Sequence, residues 1–302
     1  MRPRRWFSIV LLISATFSSV SAQTTSAAST TSIQNSSGPA FDVRAAVDAY
    51  LATVPADQRA GSDAYFEGGY GLLLWDFVST VIAMWLLLQL RISARMRSWA
   101  ERLTRFKVLQ TAIYSVAFIV LVSVVTFPLT CYEGFVREHK YGLSNQTFGA
   151  WMRDQVIMLA VTAVLGGVLL SILFVLVRKL GKSWWVWGGV VSVVFLAFVF
   201  LISPVFISPL FNTYTRLQDA RIRDPILSMA RADGIPAKDV YVFDESRQNK
   251  RVSANVSGFA GTMRISLNDN LLNRCTLPEI EATMGHEMGH YVLNHRYKGL
   301  VY

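Results

Sequence analysis

The sequence contains little charge and little cysteine for its length. Only 16% of its 302 residues are charged, whereas 52% are hydrophobic. Soluble domains carry about 25% charged residues, so this composition favours a membrane protein. Two cysteines, Cys131 and Cys275, cannot form a disulfide framework or a four-cysteine zinc site. The net charge of +9 lies in short basic segments between apolar runs, so we expect no nucleic-acid partner.

The N-terminal residues 1–22 have the pattern of a secretory signal peptide. Three arginines precede an apolar run of about 15 residues, which is shorter than the roughly 20 that a spanning helix needs. Val20-Ser21-Ala22 then forms a small-residue cleavage site. An uncleaved anchor is the alternative interpretation. Residues 23–69 are expected to be a flexible N-terminal segment, because their first part is rich in serine, threonine and alanine.

Long apolar runs predict a transmembrane region over residues 70–207 with about four helices. Each run is close to the length that crosses a bilayer as a helix, and the runs cover residues 70–90, 108–129, 156–177 and 184–207. Within the third run, small residues recur every four positions at Ala163, Gly167 and Ser171. This spacing predicts a seam along which two membrane helices pack closely.

The charge of the connecting segments predicts an orientation in the membrane. Residues 91–107 and 178–182 are basic, and the positive-inside rule assigns such loops to the cytoplasm. Alternation of the spans then assigns residues 131–155, and everything after the fourth run, to the external side. That side is the periplasm if the membrane is a bacterial inner membrane.

The composition becomes polar after the fourth run, and residues 208–302 are predicted to form a small α+β domain. Strands are indicated at 240–244 and 263–269, with a glycine-containing turn at 258–261 before the second. A helix is predicted from Leu277 to about Asn294. Thr276 and Glu279 have the spacing of a capping box at its start.

The predicted helix carries the sequence MGHEMGHY at residues 284–291. His286 and His290 are four residues apart, so they lie on one helix face and can present imidazole nitrogens to a single zinc ion. Glu287 lies one position further along from His286, where it can act as the general base toward an attacking water. This is the H-E-x-x-H pattern of zinc metalloproteases.

The other residues near the motif do not complete a zinc site. His295 follows His290 by five residues, whereas the extended three-histidine pattern requires six. On a continued helix His295 would also lie about 140° away from His290, so we interpret it as a structural or supporting residue. Zinc needs a third protein ligand. The upstream acids Asp269, Glu279 and Glu281 are the possible substitutes, although Glu279 lies two turns from the motif.

Four segments of this sequence share features with one known family. They are residues 132–155, 204–219, 254–272 and the helix sequence LPEIEATMGHEMGHYVLNH. Together they resemble the type-1 CAAX prenyl protease family of multi-pass zinc endopeptidases, from about residue 70 onward. The resemblance implies a barrel of membrane helices around a chamber, with one zinc ion held by His286 and His290 and with Glu287 as the base. It also implies that the strand at Ala254 and Asn255 lines the substrate cleft.

The resemblance and the motif together predict a mainly α-helical membrane protein whose multi-span bundle precedes a zincin-like α+β segment. The family's third ligand, a downstream glutamate, and its last two spans have no counterpart here, so we expect a truncated member with an incomplete protease domain. The leading hypothesis is a membrane zinc endopeptidase that acts on a peptide or protein substrate, with CAAX processing as the implied activity. A non-catalytic homologue is the alternative. A transporter is disfavoured because no internal repeat is visible.

Overall fold

A computed structural model describes residues 42–258 and 263–298. The predicted signal peptide, the beginning of the predicted flexible segment and most of the predicted turn lie outside the described residues. The chain divides into two units, residues 1–55 and 56–302. In the first unit, helix α1 (Val43–Leu51) is capped by Asp42, whose carboxylate accepts the backbone N–H groups of Arg44 and Ala45 at 2.9 and 3.1 Å.

The second unit begins with the membrane region. In the part of the chain that the structure describes, four helical segments are long and apolar enough to cross a membrane. Their main helices are α2 (Ala56–Gln89), α4 (Lys107–Cys131), α5 (Phe148–Lys179) and α6 (Trp184–Ile202), and the shorter α3 (Ile92–Leu103) connects α2 to α4. Most of their large apolar side chains are exposed, as is expected of surfaces that lipid would cover. The predicted multi-pass helical bundle is confirmed.

The membrane helices extend well beyond the predicted spans. α2 begins at Ala56, so part of the segment predicted to be flexible is helical. α4 continues beyond Cys131 as a π-helix over Tyr132–Arg137 and a short α-helix over Glu138–Lys140. Most of the polar segment 131–155 is therefore helical. A hydropathy pattern identifies only the lipid-embedded part of a helix. It does not distinguish the polar residues at the ends of the helix from a loop.

The predicted seam in α5 is confirmed by its packing against α4. Ala163, Gly167 and Ser171 are all buried, and α5 lies directly against α4. A Cβ atom placed on Gly167 would come within 3.1 Å of a Val116 methyl carbon, which is tighter than ordinary van der Waals contact. The missing side chain therefore allows the two helices to approach closely.

The residues after α6 form a four-stranded sheet in the described part of the chain. The strands are β1 (Tyr214–Arg216), β2 (Val240–Phe243), β3 (Ala254–Ser257) and β4 (Arg264–Asn268). Their spatial order is β1-β2-β4-β3, with β2 and β4 parallel and the other pairs antiparallel. The two predicted strands are present as β2 and β4. β1 is only three residues long, which is too short for a sequence pattern to reveal.

Helices α7 (Ala220–Ala232) and α9 (Leu277–Val292) contribute to one hydrophobic core with the sheet, while α8 (Asp269–Arg274) and α10 (His295–Lys298) are short. α9 contacts both α7 and β3. Its side chains at every fourth position, Ile280, Met284 and Met288, are at most 1% exposed. Burial of each such side chain stabilises the fold by about 1.5–3 kcal/mol, so this face fixes how α9 lies on the sheet.

We predict that Gly167→Leu destabilises the membrane bundle. The added side chain has to enter the contact with Val116, and overpacking of this kind costs about 1–3 kcal/mol. Thermal unfolding of the detergent-purified chain should show a melting temperature lower than that of the matched variant Gly189→Leu. A Cβ atom at Gly189, in α6, meets no atom within 4 Å. Equal melting temperatures for the two variants would contradict the seam.

Candidate metal centre

The zinc motif lies on the exposed face of α9. Met284 and Met288 are completely buried in the core, whereas His286 and His290 are exposed. An α-helix has 3.6 residues per turn, so two side chains that are two residues apart point about 200° away from each other around the helix axis. The burial of the two methionines therefore turns both histidines away from the core, and packing sets the direction in which the motif histidines point.

The start of α9 is fixed by the predicted capping box. The Glu279 carboxylate accepts the backbone N–H of Thr276 at 2.7 Å and the Thr276 hydroxyl at 2.8 Å. These hydrogen bonds, the backbone one first, lower the pKa of the Glu279 carboxyl. The resulting negative charge lies at the helix N-terminus, where it interacts favourably with the helix dipole. Glu279 is thus engaged two turns from the histidines and does not reach them.

The two motif histidines face each other through their Nε2 atoms. These atoms are 3.0 Å apart, and the ring planes are nearly perpendicular at 86°. Two zinc–nitrogen bonds of about 2.0–2.1 Å that meet at a tetrahedral angle place their nitrogens roughly 3.3–3.4 Å apart. Neutral imidazole nitrogens are also the donors that zinc prefers in such sites. The pair therefore fits one shared zinc ion after a small opening of the rings.

Glu287 is the only acid between the two histidines in the sequence, and it is partly buried on α9. One residue of helix rotates the side-chain direction by about 100°. The Glu287 side chain therefore leaves the helix in a direction about 100° from that of His286. That arrangement suits a proton acceptor next to a metal better than a third ligand.

The residues in 42–258 and 263–298 provide no group of three histidine, cysteine, aspartate or glutamate side chains arranged to hold a metal. The possible substitutes predicted from the sequence do not join the histidines. Asp269 accepts the backbone N–H of Ser246 at 2.8 Å and also its hydroxyl, while Glu279 caps α9 and Glu281 belongs to no such group. Within the described residues, His286 and His290 therefore face each other without a third side chain of these types arranged beside them.

The expected rotation of His295 away from the site is wrong, because α9 does not continue that far. The helix ends at Val292, and Asn294 has a φ of 56°, in the left-handed region. The chain reverses there, and the Nδ1 atom of His295 comes to lie 2.7 Å from the Nδ1 atom of His290. His295 therefore contacts a proposed zinc ligand directly. The signal available in the sequence was the asparagine, which tolerates the left-handed conformation.

The strand β3, which includes both predicted substrate residues, forms an edge of the sheet described here. The Asn268 N–H donates to the Ser253 carbonyl at 2.9 Å. In an antiparallel pair, residues alternate between facing the partner and facing away, so the backbone N–H and C=O groups of Ala254 and Val256 face the free edge. The backbone of Asn255 faces β4 instead.

The side chains of the two predicted substrate residues lie on opposite faces of the sheet. Ala254 packs against the core that α9 covers. The Asn255 side chain points to the other face, where its Oδ1 accepts a hydrogen bond of 2.9 Å from the Ser257 hydroxyl. The structure thus places the Ala254 side chain on the face of the sheet that α9 covers and the Asn255 side chain on the opposite face.

A polar cluster, which the sequence did not indicate, ties the segment before β3 to the membrane helices. The Arg251 guanidinium donates to the Glu138 carboxylate at 2.9 Å and to the Tyr65 hydroxyl at 3.1 Å, and Tyr65 donates to Glu138 at 2.6 Å. The Arg137 guanidinium lies 4.1 Å from the centre of the Tyr65 ring. These residues are separated by up to 186 positions, so no local pattern could have found them.

Comparison with known proteins gives consistent results along both parts of the chain. A family model described as the CAAX prenyl protease N-terminal region with five membrane helices matches residues 57–213. The model of peptidase family M48 matches residues 216–302. In the solved crystal structure of S. mikatae Ste24p, a similar chain superimposes with a TM-score of 0.70 at 25% identity, covering 82% of this chain and 60% of that one.

Two curated proteins illustrate the range of relatives. The uncharacterized metalloprotease YhfN of Bacillus subtilis is 34% identical over 209 residues, which is 69% of this chain and 49% of that protein. CAAX prenyl protease 1 of Saccharomyces cerevisiae is 32% identical over 198 residues, or 63% of this chain and 43% of that protein. The chain spans about half the length of these relatives. Since the two family models together match residues 57–213 and 216–302, the chain belongs to peptidase family M48, as a member of its type-1 CAAX prenyl protease group.

Proposed function

We propose that this protein is an integral-membrane endopeptidase that depends on one zinc ion per chain. The observation that carries the proposal is the pair of Nε2 atoms of His286 and His290, 3.0 Å apart on the exposed face of α9. Membership of family M48 supports zinc as the metal. In residues 42–258 and 263–298 no third histidine, cysteine, aspartate or glutamate side chain is arranged with the two histidines to hold a metal, so the proposal assigns only these two ligands.

The arrangement around the histidines suits peptide-bond hydrolysis. When bound, zinc supplies a Lewis acid that polarises the scissile carbonyl and acidifies water. Glu287 accepts a proton from the water molecule that attacks the carbonyl carbon, and it then donates that proton to the nitrogen of the leaving amine. To hold zinc, His286 and His290 would each present an Nε2 atom that carries no hydrogen.

The edge of β3 supports an extended peptide or protein as the substrate. The free N–H and C=O groups at Ala254 and Val256 can pair with the backbone of an added strand, and pairing of this kind binds a peptide whatever its side chains are. Several relatives bear the name CAAX prenyl protease 1, so a C-terminal CAAX-type peptide is the first substrate class to test. A role that binds such a peptide without cleaving it is the alternative.

Glu287→Gln should abolish cleavage while zinc remains bound. The amide has the size of the carboxylate but cannot accept a proton, and loss of a general base typically costs about 10²–10⁴-fold in rate. Cleavage of a fluorogenic CAAX-type peptide and zinc content are measured on the same detergent-purified chain. Glu281→Gln, on the same helix, is the matched control with activity near that of the unsubstituted chain. Undiminished cleavage by Glu287→Gln would contradict the proposed base, and a zinc-loaded unsubstituted chain that binds but never cleaves the peptide would favour the non-catalytic alternative.

Ala254→Pro should weaken peptide cleavage without unfolding the sheet. Proline removes an N–H group that faces the free edge of β3, a position where proline is tolerated in edge strands. We expect kcat/KM to fall by about tenfold, since one backbone hydrogen bond and the close approach of the substrate are lost. Ala254→Ser keeps the N–H group and should retain activity. If both variants cleave equally well while their melting temperatures match, the substrate does not pair with this edge.

We also propose that the zinc face of the protein is external. The Arg178 guanidinium donates to the Thr111 hydroxyl at 3.0 Å, so the basic segment 178–182 lies at the first turns of α4. The Asn145 N–H donates to the Gln248 carbonyl at 3.0 Å, so the sheet-containing segment lies beyond the opposite end of α4. The positive-inside rule assigns the basic end to the cytoplasm.

Single reporter cysteines test this orientation. In a background with Cys131→Ser and Cys275→Ser, Asn273→Cys should react with a membrane-impermeant maleimide in intact spheroplasts, because residue 273 is exposed on the zinc side. Lys182→Cys, exposed in the basic segment, should react only after permeabilisation. The reverse labelling pattern would contradict the external assignment.

A further inference from the structure

A histidine outside the zinc motif is bonded to one of the proposed ligands. The left-handed conformation of Asn294 returns the chain toward the last turn of α9. Two hydrogen bonds close this end of the helix, from the Leu293 N–H to the Gly289 carbonyl at 2.9 Å and from the Asn294 N–H to the Tyr291 carbonyl at 3.0 Å. His295 follows immediately, with its ring centre 5.0 Å from that of His290.

The contact between these two rings is a hydrogen bond between ring nitrogens. Their Nδ1 atoms are 2.7 Å apart, which is hydrogen-bond distance, so one of them donates and the other accepts. The other nitrogen of His290, Nε2, faces Nε2 of His286 at 3.0 Å. A neutral imidazole carries hydrogen on one nitrogen only, and a nitrogen that binds metal must be free of it. With Nε2 presented to zinc, His290 would therefore carry its hydrogen on Nδ1, and His295 would accept that hydrogen.

We propose that His295 is a positioning residue that fixes the tautomer and ring orientation of His290 so that Nε2 is presented to zinc. The inference rests on the proposed function, because it concerns the same metal centre. His295 does not share the ion in this arrangement, since its contacting nitrogen is bonded to Nδ1 of His290, away from the two Nε2 atoms. Hydrogen-bond partners of this kind typically contribute about 10–100-fold to metal affinity.

Zinc affinity of the full chain tests the role of His295 without reference to activity. The dissociation constant is measured on detergent-purified protein by titration of zinc chloride against a competing chelator. His295→Phe keeps a ring but cannot accept a hydrogen bond, and it should weaken zinc binding by about 10–100-fold. His295→Asn places an amide oxygen near the position of Nδ1 and should restore most of the affinity. His139→Phe is the matched control, because His139 instead contacts the carbonyls of Phe135 and Gln146 at 2.7 and 2.9 Å.

A second pair of variants tests the chain reversal that delivers His295. Asn294→Gly accepts a positive φ and should leave zinc affinity unchanged, whereas Asn294→Val disfavours it and should weaken affinity as His295→Phe does. Circular dichroism checks that each variant keeps its helical content. The inference is overturned if His295→Phe binds zinc as tightly as the unsubstituted chain, or if His295→Asn binds as weakly as His295→Phe. An unsubstituted chain that binds no zinc contradicts the proposed function itself, and this inference with it.

Discussion

The orientation of the two motif histidines depends on the burial of one face of α9. Ile280, Met284 and Met288 insert into the core formed by the sheet and α7, and their spacing of four residues fixes the rotation of the helix about its axis. His286 and His290 necessarily point the other way. A polar substitution on the buried face would therefore disturb the histidines through the rotation of the helix, although it touches neither of them.

The sheet and the segment before β3 connect α9 to the membrane bundle. α9 packs on β3, and the segment that enters β3 is bonded through Arg251 to Glu138, at the end of the extended α4, and to Tyr65 in α2. The position of β3 relative to the apolar helices is thus fixed by charged and aromatic contacts beyond the apolar part of the spans.

The sequence predicted those features that depend on local periodicity. The four apolar runs predicted the membrane spans, and the four-residue spacing of Ala163 and Gly167 predicted the seam between α4 and α5. The H-E-x-x-H motif and the capping box before it predicted α9. Features that depend on tertiary contacts were missed: the polar ends of α2 and α4, the three-residue strand β1 and the cluster around Tyr65. His295 was assigned a supporting role, but its contact with His290 was missed, because the helix was assumed to continue through Asn294.

The coordination of zinc in the loaded chain tests the central claim most directly. X-ray absorption at the zinc edge reports both the distance and the type of ligand atoms. The structure predicts scattering from two imidazole rings, with nitrogens at about 2.0–2.1 Å from zinc, and loss of that signal when His286 and His290 are both replaced by alanine. A stoichiometrically bound zinc without imidazole scattering, or with the same spectrum in the doubly substituted chain, would contradict the account.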